Sequence, residues 1–412
     1  MHSKRLPTSF TYMTFWFPVF LVLFEFATYV SNDMSLPAMP TVVREFGAGP
    51  GQITLALTVS LLGNVALQWL LGPLSDHKGR RIVMLSGVAL FVLSCSAMYW
   101  SESMPSFIAL RFVQGMGVAF VAAVGYPAVH EAFDEVKAVE TIALMASVAL
   151  FAPLIGPVLG ALVLEVAPWR TIFALIAVVG AVAGLGMAKH MPETASVTSE
   201  RLSLCTIART YRRLLGETAL IRAAFAIGAL AIPFMTWIAL GPVIFMTNRH
   251  LGPLAYAWRQ LPVIGAMSVS CLIAGQLASR ISLGRLAAGG LTVVGAGAGV
   301  MVAGRLLGEG FTSAVPGFVV YAAGLGASYT ALYRLALFSS DAPKGGVAAM
   351  INSILLLTMV VGVESLKRVY LCYGDWPLVV ACAGIIAFGC YVGAAFLMKR
   401  LDIVPKQAVL DY

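Results

Sequence analysis

Hydrophobic positions in this chain neither alternate nor recur as narrow one-sided stripes; they run on without interruption. Twelve such runs, separated by Gly, Pro and clusters of charge, cover residues 12–36, 52–74, 82–100, 105–129, 138–164 and 169–188, then 219–246, 254–278, 286–307, 313–338, 347–366 and 376–398. Each has about the 20 residues that a helix needs to cross a hydrocarbon core. A helix apolar on all sides belongs in lipid or in a deep core. The pattern predicts an all-α polytopic membrane protein with twelve transmembrane helices.

The longest polar interruption, 189–218, carries Arg201, Arg209, Arg212 and Arg213 among Leu202, Leu204, Ile207, Leu214 and Leu215 at near-helical spacing. It reads as a short basic amphipathic helix at the cytoplasmic membrane surface. It divides the chain into a six-helix bundle (1–188), a linker (189–218) and a second six-helix bundle (219–412). The two halves keep a trace of repetition. GPLSDHKGRR at 72–81 follows the second span, and GQLASR at 275–280 with GR at 284–285 follows the eighth. Parallel repeats of this kind make two pseudo-symmetric bundles, a transporter design.

Composition agrees: of 412 residues, 59% are hydrophobic and only 11% charged, against roughly 25% charged in soluble domains. A soluble globular enzyme is excluded, because polar surface could not cover so much apolar material. The net charge of +8 is a matter of topology, not of nucleic acid. With both termini cytoplasmic, that face carries 19 of the 27 Lys and Arg and the opposite face 7, Arg111 lying within a span. The positive-inside rule then places both termini in the cytoplasm. The first apolar run lacks a small-residue cleavage site and reads as a retained span. The six cysteines show no CxxC or metal-ligand spacing, and the five histidines are scattered. Neither metal nor a catalytic constellation is expected.

The informative residues are therefore the few charges inside apolar runs. Glu25 and Asp33 share the first span, separated by a rise of roughly 12 Å and about 80° of turn. Glu25, Tyr29 and Asn32 form one stripe, with Glu25 near the midplane and Asp33 nearer the outer face. A carboxylate there costs roughly 2.5–3.5 kcal/mol or more, so such groups usually face a cavity and can exchange protons; a snorkelling or capped end charge is the plainer reading. Arg111, in the outer half of the fourth span, needs acceptors, for which Gln114 one turn away and Asp33 are available. It serves as a strut between helices, as a partner in proton coupling, or as both. Gly156-Pro157 with Gly160 in the fifth span permits close packing and a bend. Asp76 with Lys78, Arg80 and Arg81 can latch helix ends at the cytoplasmic side, although ordinary anchoring also explains the bases.

Taken together, the loop at 72–81 resembles the G-x-L-(A/S)-D-(R/H)-x-G-R-R signature of the major facilitator superfamily. Arg111-x-x-Gln114-Gly115 resembles the fourth-span motif of its proton-driven members, and Gly156-Pro157-x-x-Gly160 the fifth-span antiporter motif. EFATYVSNDMSLP at 25–37, QWLLGPLSD at 68–76, Glu131, MPET at 191–194 and the segment 338–345 are similar to the MdfA-type multidrug efflux transporters, in the drug:proton antiporter family with twelve spans. The resemblance implies two six-helix bundles that export lipophilic cationic and neutral drugs in exchange for protons by alternating access. It implies Glu25, Asp33 and Arg111 for proton coupling. It implies a drug cavity lined by Glu25, Tyr29, Asn32, Asp33, Met145, Ala149, Phe234, Met235 and Ile238. Asp76, Arg80, Arg81, Gln114, Gly156, Pro157 and Gly160 are implied for gating. The expected setting is a bacterial inner membrane, as a monomer among lipids, with the proton as coupling ion and no other cofactor. His77 replaces the usual Arg after Asp76 and Ile82 the usual Pro, which bears on latch strength. A narrow-specificity proton-coupled metabolite exporter or symporter of the same fold is the alternative.

Overall fold

The computed structural model of the protein describes residues 8–195, 204–308 and 310–398. Within them lie twelve helices long and apolar enough to cross a membrane and no strand. Spans one to six are Trp16–Glu45, Gly51–Lys78, Arg80–Tyr99, Met104–Ala132, Glu135–Val166 and Arg170–His190. Spans seven to twelve are Thr218–Thr247, Pro253–Leu277, Leu283–Leu307, Phe311–Leu337, Lys344–Tyr373 and Asp375–Leu397. The chain is a multi-pass membrane protein. Both termini, Arg201 and Leu202 fall outside the described residues.

Three spans are less regular than their sequence suggests. The first helix stops at Met34, passes through the 3-10 turn Leu36–Ala38 and resumes as Met39–Glu45. Pro37 and Pro40 each sit at the start of one of these pieces, where a missing N–H costs nothing. Span four widens into a π-helix at Val121–Gly125 and span seven at Pro242–Thr247.

The chain divides into two compact units. The first runs up to Ala208 and takes in His250–Ala257; the second holds Arg209–Arg249 and the chain from Trp258 onward. The division falls inside the linker helix Leu204–Leu215. That helix buries Ile207 and Leu214 and exposes Arg209, Arg212 and Arg213, so it is amphipathic and basic.

In the first unit, span one packs on spans five and six, span two on span four, and span three on spans four and six. Missing side chains set these distances. A Cβ on Gly115 would lie 1.9 Å from the Ser60 carbonyl oxygen, and one on Gly160 2.1 Å from that of Met34. In the second unit, span seven packs on spans eleven and twelve, and spans nine and ten form its most extensive helix pair. Trp237, Phe245, Phe311 and Phe318 make a buried aromatic cluster there.

Candidate functional site

Glu25, Asp33 and Arg111 are all buried within the first unit, 0%, 8% and 1% exposed. Glu25 follows Phe24 on the face of span one that meets neighbouring helices. Its Oε1 accepts a hydrogen bond from the Tyr126 hydroxyl at 3.0 Å, and its Oε2 is buried with no partner. Tyr126 stands immediately after the π-helical turn of span four. An insertion of this kind shifts the register of every following side chain and is frequent at functional sites. Sequence spacing gave no signal for Tyr126.

Arg111 is satisfied three ways. It donates through Nε to the Ala56 carbonyl at 3.3 Å, through one terminal nitrogen to Gln114 Oε1 at 2.5 Å, and through the other to Asn32 Oδ1 at 3.1 Å. Ser60 donates to the same Asn32 oxygen at 3.0 Å, and Gln114 donates to Cys95 Sγ at 3.1 Å. One guanidinium therefore ties spans one, two and four, and reaches span three through Gln114. The expected acceptor Gln114 is in place. The hydrogen-bond acceptor on span one is Asn32, because adjacent helical residues point about 100° apart; Asp33 meets Arg111 through the attraction of their charges and not through a hydrogen bond. Asp33 lies instead against span five, where a Cβ on Gly156 would come within 2.6 Å of its own Cβ. Among the described residues its carboxylate has no hydrogen bond or ion pair.

Of the expected cavity residues, Tyr29, Asn32 and Ala149 are half-buried and Met145 is fully buried in the first unit. In the second, Phe234 and Ile238 are buried and Met235 half-buried, on adjacent turns of span seven. Gly156, Pro157 and Gly160 are buried along the line where span five meets span one.

A second cluster sits at the turn between spans two and three, where Gly79 adopts φ +101°. Arg80, 8% exposed, pairs with Asp76 one turn earlier, donates to both Glu131 oxygens at 2.8 and 3.2 Å, and donates to Ser75 Oγ. The Glu193 carboxylate accepts the backbone N–H groups of Arg80 at 2.6 Å and Arg81 at 3.2 Å, satisfying donors at the start of span three. Arg81 donates to the Ala188 carbonyl at 2.5 Å, and Thr194 to Glu131 at 2.7 Å. Asp76 and Arg80 thus pair at this turn with Arg81 beside them, while the acids that complete the cluster come from elsewhere, Glu131 from span four and Glu193 from the segment that follows span six. Glu131 and the MPET segment that holds Glu193 stood out in the sequence through the family resemblance. Among the described residues no three His, Cys, Asp or Glu side chains are grouped so as to hold a metal ion.

Residues 21–363 match the family model of the Major Facilitator Superfamily. The chain belongs to the major facilitator superfamily. It is 41% identical over 367 residues to the Multidrug transporter MdfA of Yersinia pestis bv. Antiqua (strain Angola), covering 87% of this chain and 88% of that one. To the Multidrug transporter MdfA of Escherichia coli O6:H1 it is 39% identical over 360 residues, with the same coverage. Its fold matches a crystal structure of a D-xylose-proton symporter with TM-score 0.76 at 14% identity, covering 95% of this chain and 99% of that one. A partially occluded inward-open structure of the xylose transporter XylE from E. coli matches with TM-score 0.73 at 12% identity, over 94% and 98% of the two chains. At such low identity these two bear on fold alone.

Proposed function

We propose that this protein exports lipophilic cationic and neutral drugs across a bacterial inner membrane in exchange for protons, by alternating access and as a monomer with both termini cytoplasmic. The relatives named as multidrug transporters support the drug class. The observation that carries the coupling is Glu25 Oε2, a buried carboxyl oxygen without a partner. Charge on such an oxygen is costly unless a proton or a cation meets it. A proton and a cationic drug therefore compete for the same carboxyl, and the loss of one makes room for the other.

Arg111 takes no part as an acid or base, since guanidinium keeps its proton. Its hydrogen bonds hold Asn32, and thereby fix the turn of span one that carries Asp33. Asp33 is then the second carboxyl at which proton and drug are exchanged. Tyr29, Met145 and Ala149 in the first unit and Phe234, Met235 and Ile238 in the second offer apolar and aromatic contact, which suits substrates of varied shape. The Arg80 cluster acts as a cytoplasmic latch. No bond in the substrate is made or broken; the protein is a transporter and not an enzyme, with the proton as its only co-substrate.

Inverted membrane vesicles test this reading. With an inward-acid proton gradient they accumulate tetraphenylphosphonium, and a protonophore abolishes the accumulation. Accumulation indifferent to the gradient would sink the exchange.

A further inference from the structure

We infer that the Tyr321 hydroxyl is a positioning element of span seven. By bridging the helix backbone at Pro233 it sets the turn that carries Phe234, Met235 and Ile238 towards substrate. The inference rests on the drug-contact role proposed for those three residues.

Pro233 has no N–H, so the Ala229 carbonyl loses its helical donor, and the proline ring crowds that same carbonyl. One residue on, the Phe234 N–H donates to the Tyr321 hydroxyl oxygen at 3.2 Å. The Tyr321 O–H in turn donates to the Leu230 carbonyl. Phe234 N–H and Leu230 C=O are the donor and acceptor of a single helical hydrogen bond. The phenol therefore spans both ends of a turn that proline has already weakened.

The anchor itself is firm. Tyr321 belongs to span ten and is 0% exposed. Gly297 of span nine lies against it so closely that a Cβ there would be 2.4 Å from the Tyr321 nitrogen. The Phe318 ring meets it edge-on at 6.5 Å. Phenylalanine would fill the same apolar site, so packing explains the ring but not the oxygen. A buried phenol needs a hydrogen-bond partner, and the partners present are two backbone groups of span seven. The hydroxyl is thus placed to fix how far the turn opens, and with it the direction of three side chains on the following residues.

Two substitutions separate this role from simple cementing. Tyr321→Phe keeps the ring and removes the bridge. Pro233→Ala restores the donor at 233 and lets the turn close without it. In purified full-length protein, Tyr321→Phe alone weakens tetraphenylphosphonium binding about three- to tenfold, the worth of one hydrogen bond. In the Pro233→Ala background the same change alters binding by less than about twofold. Equal losses in both backgrounds overturn the inference. Hydrogen exchange on span-seven peptides reads the bridge without substrate: Tyr321→Phe speeds exchange around Phe234 in the wild-type background. Unchanged exchange overturns the bridge, and faster exchange with unaltered binding overturns the positioning. If the wild type itself does not bind tetraphenylphosphonium, the drug-contact reading falls and the positioning role with it, while exchange still decides the bridge.

Discussion

The first unit buries Glu25, Asp33, Arg80 and Arg111; among the described residues the second unit buries Thr236, Gln260, Ser268, Ser328 and Ser340, but no charged side chain. Where the first unit holds a guanidinium satisfied by three helices, the second buries a cluster of Trp237, Phe245, Phe311 and Phe318. The turn motifs differ in the same sense. Arg80 in the first copy is held by Asp76, Glu131 and Ser75. The second copy, 275–285, contains no acidic residue, and its serines cap or brace their own helix ends. The two units thus differ in what they bury, ionic side chains in one and aromatic ones in the other.

The sharpest way to break that contrast is to remove its central ion. Arg111→Leu takes the guanidinium from Gln114, the Ala56 carbonyl and Asn32, which keeps Ser60 as a donor. It also leaves Asp33 as a buried charge without its counter-charge, at a cost of about 3–5 kcal/mol. Export by reconstituted protein falls at least ~100-fold. Arg111→Lys recovers only part of it, because ammonium cannot match the planar fork. The counterpart in the second unit is Gln260, whose amide nitrogen and oxygen are both buried without partners. Gln260→Leu leaves the thermal midpoint in detergent unchanged or raised. A lower midpoint would show that this unit also depends on buried polar chemistry.

Packing gives the next largest effect. Gly160→Ala drives a methyl into the Met34 backbone and destabilises the protein by about 1–3 kcal/mol, whereas Gly289→Ala in the second unit meets nothing within 4 Å and is neutral. Thermal midpoints of the two variants, measured side by side, check this. At the turn, Glu131→Gln breaks the two-oxygen pairing with Arg80, which is partly open to solvent, and costs roughly 1 kcal/mol. Glu193→Gln still accepts one N–H and costs roughly half as much. Salt weakens both effects, as a titration of midpoint against ionic strength shows. No matching pair of losses is expected from substitutions in 275–285.

Continuous hydrophobicity made the twelve spans legible, since nothing but a membrane asks for runs of that length. Glu25, Asp33 and Arg111 were legible for the same reason: in such a background an ionised side chain stands out. What escaped was set by contacts between distant residues. Tyr126 meets Glu25 across 101 positions and Glu193 meets Arg80 across 113. The π-helical turns at Val121–Gly125 and Pro242–Thr247 have no pattern of their own, because one extra residue in a turn is fixed by packing around it. Asn32 and not Asp33 makes the hydrogen bond to Arg111, because depth along a helix says nothing about which of two neighbouring residues faces across. The short helix Met39–Glu45 was hidden by prolines that read as an end to the span and are in fact a new start.

The central claim, that proton and drug compete for the carboxyls of the first unit, is tested most directly by proton release. Tetraphenylphosphonium is added to weakly buffered purified protein, and the pH of the medium is followed. The wild type releases protons on binding; Glu25→Gln and Asp33→Asn each release fewer, and the double variant none. Undiminished release from the double variant would contradict the account.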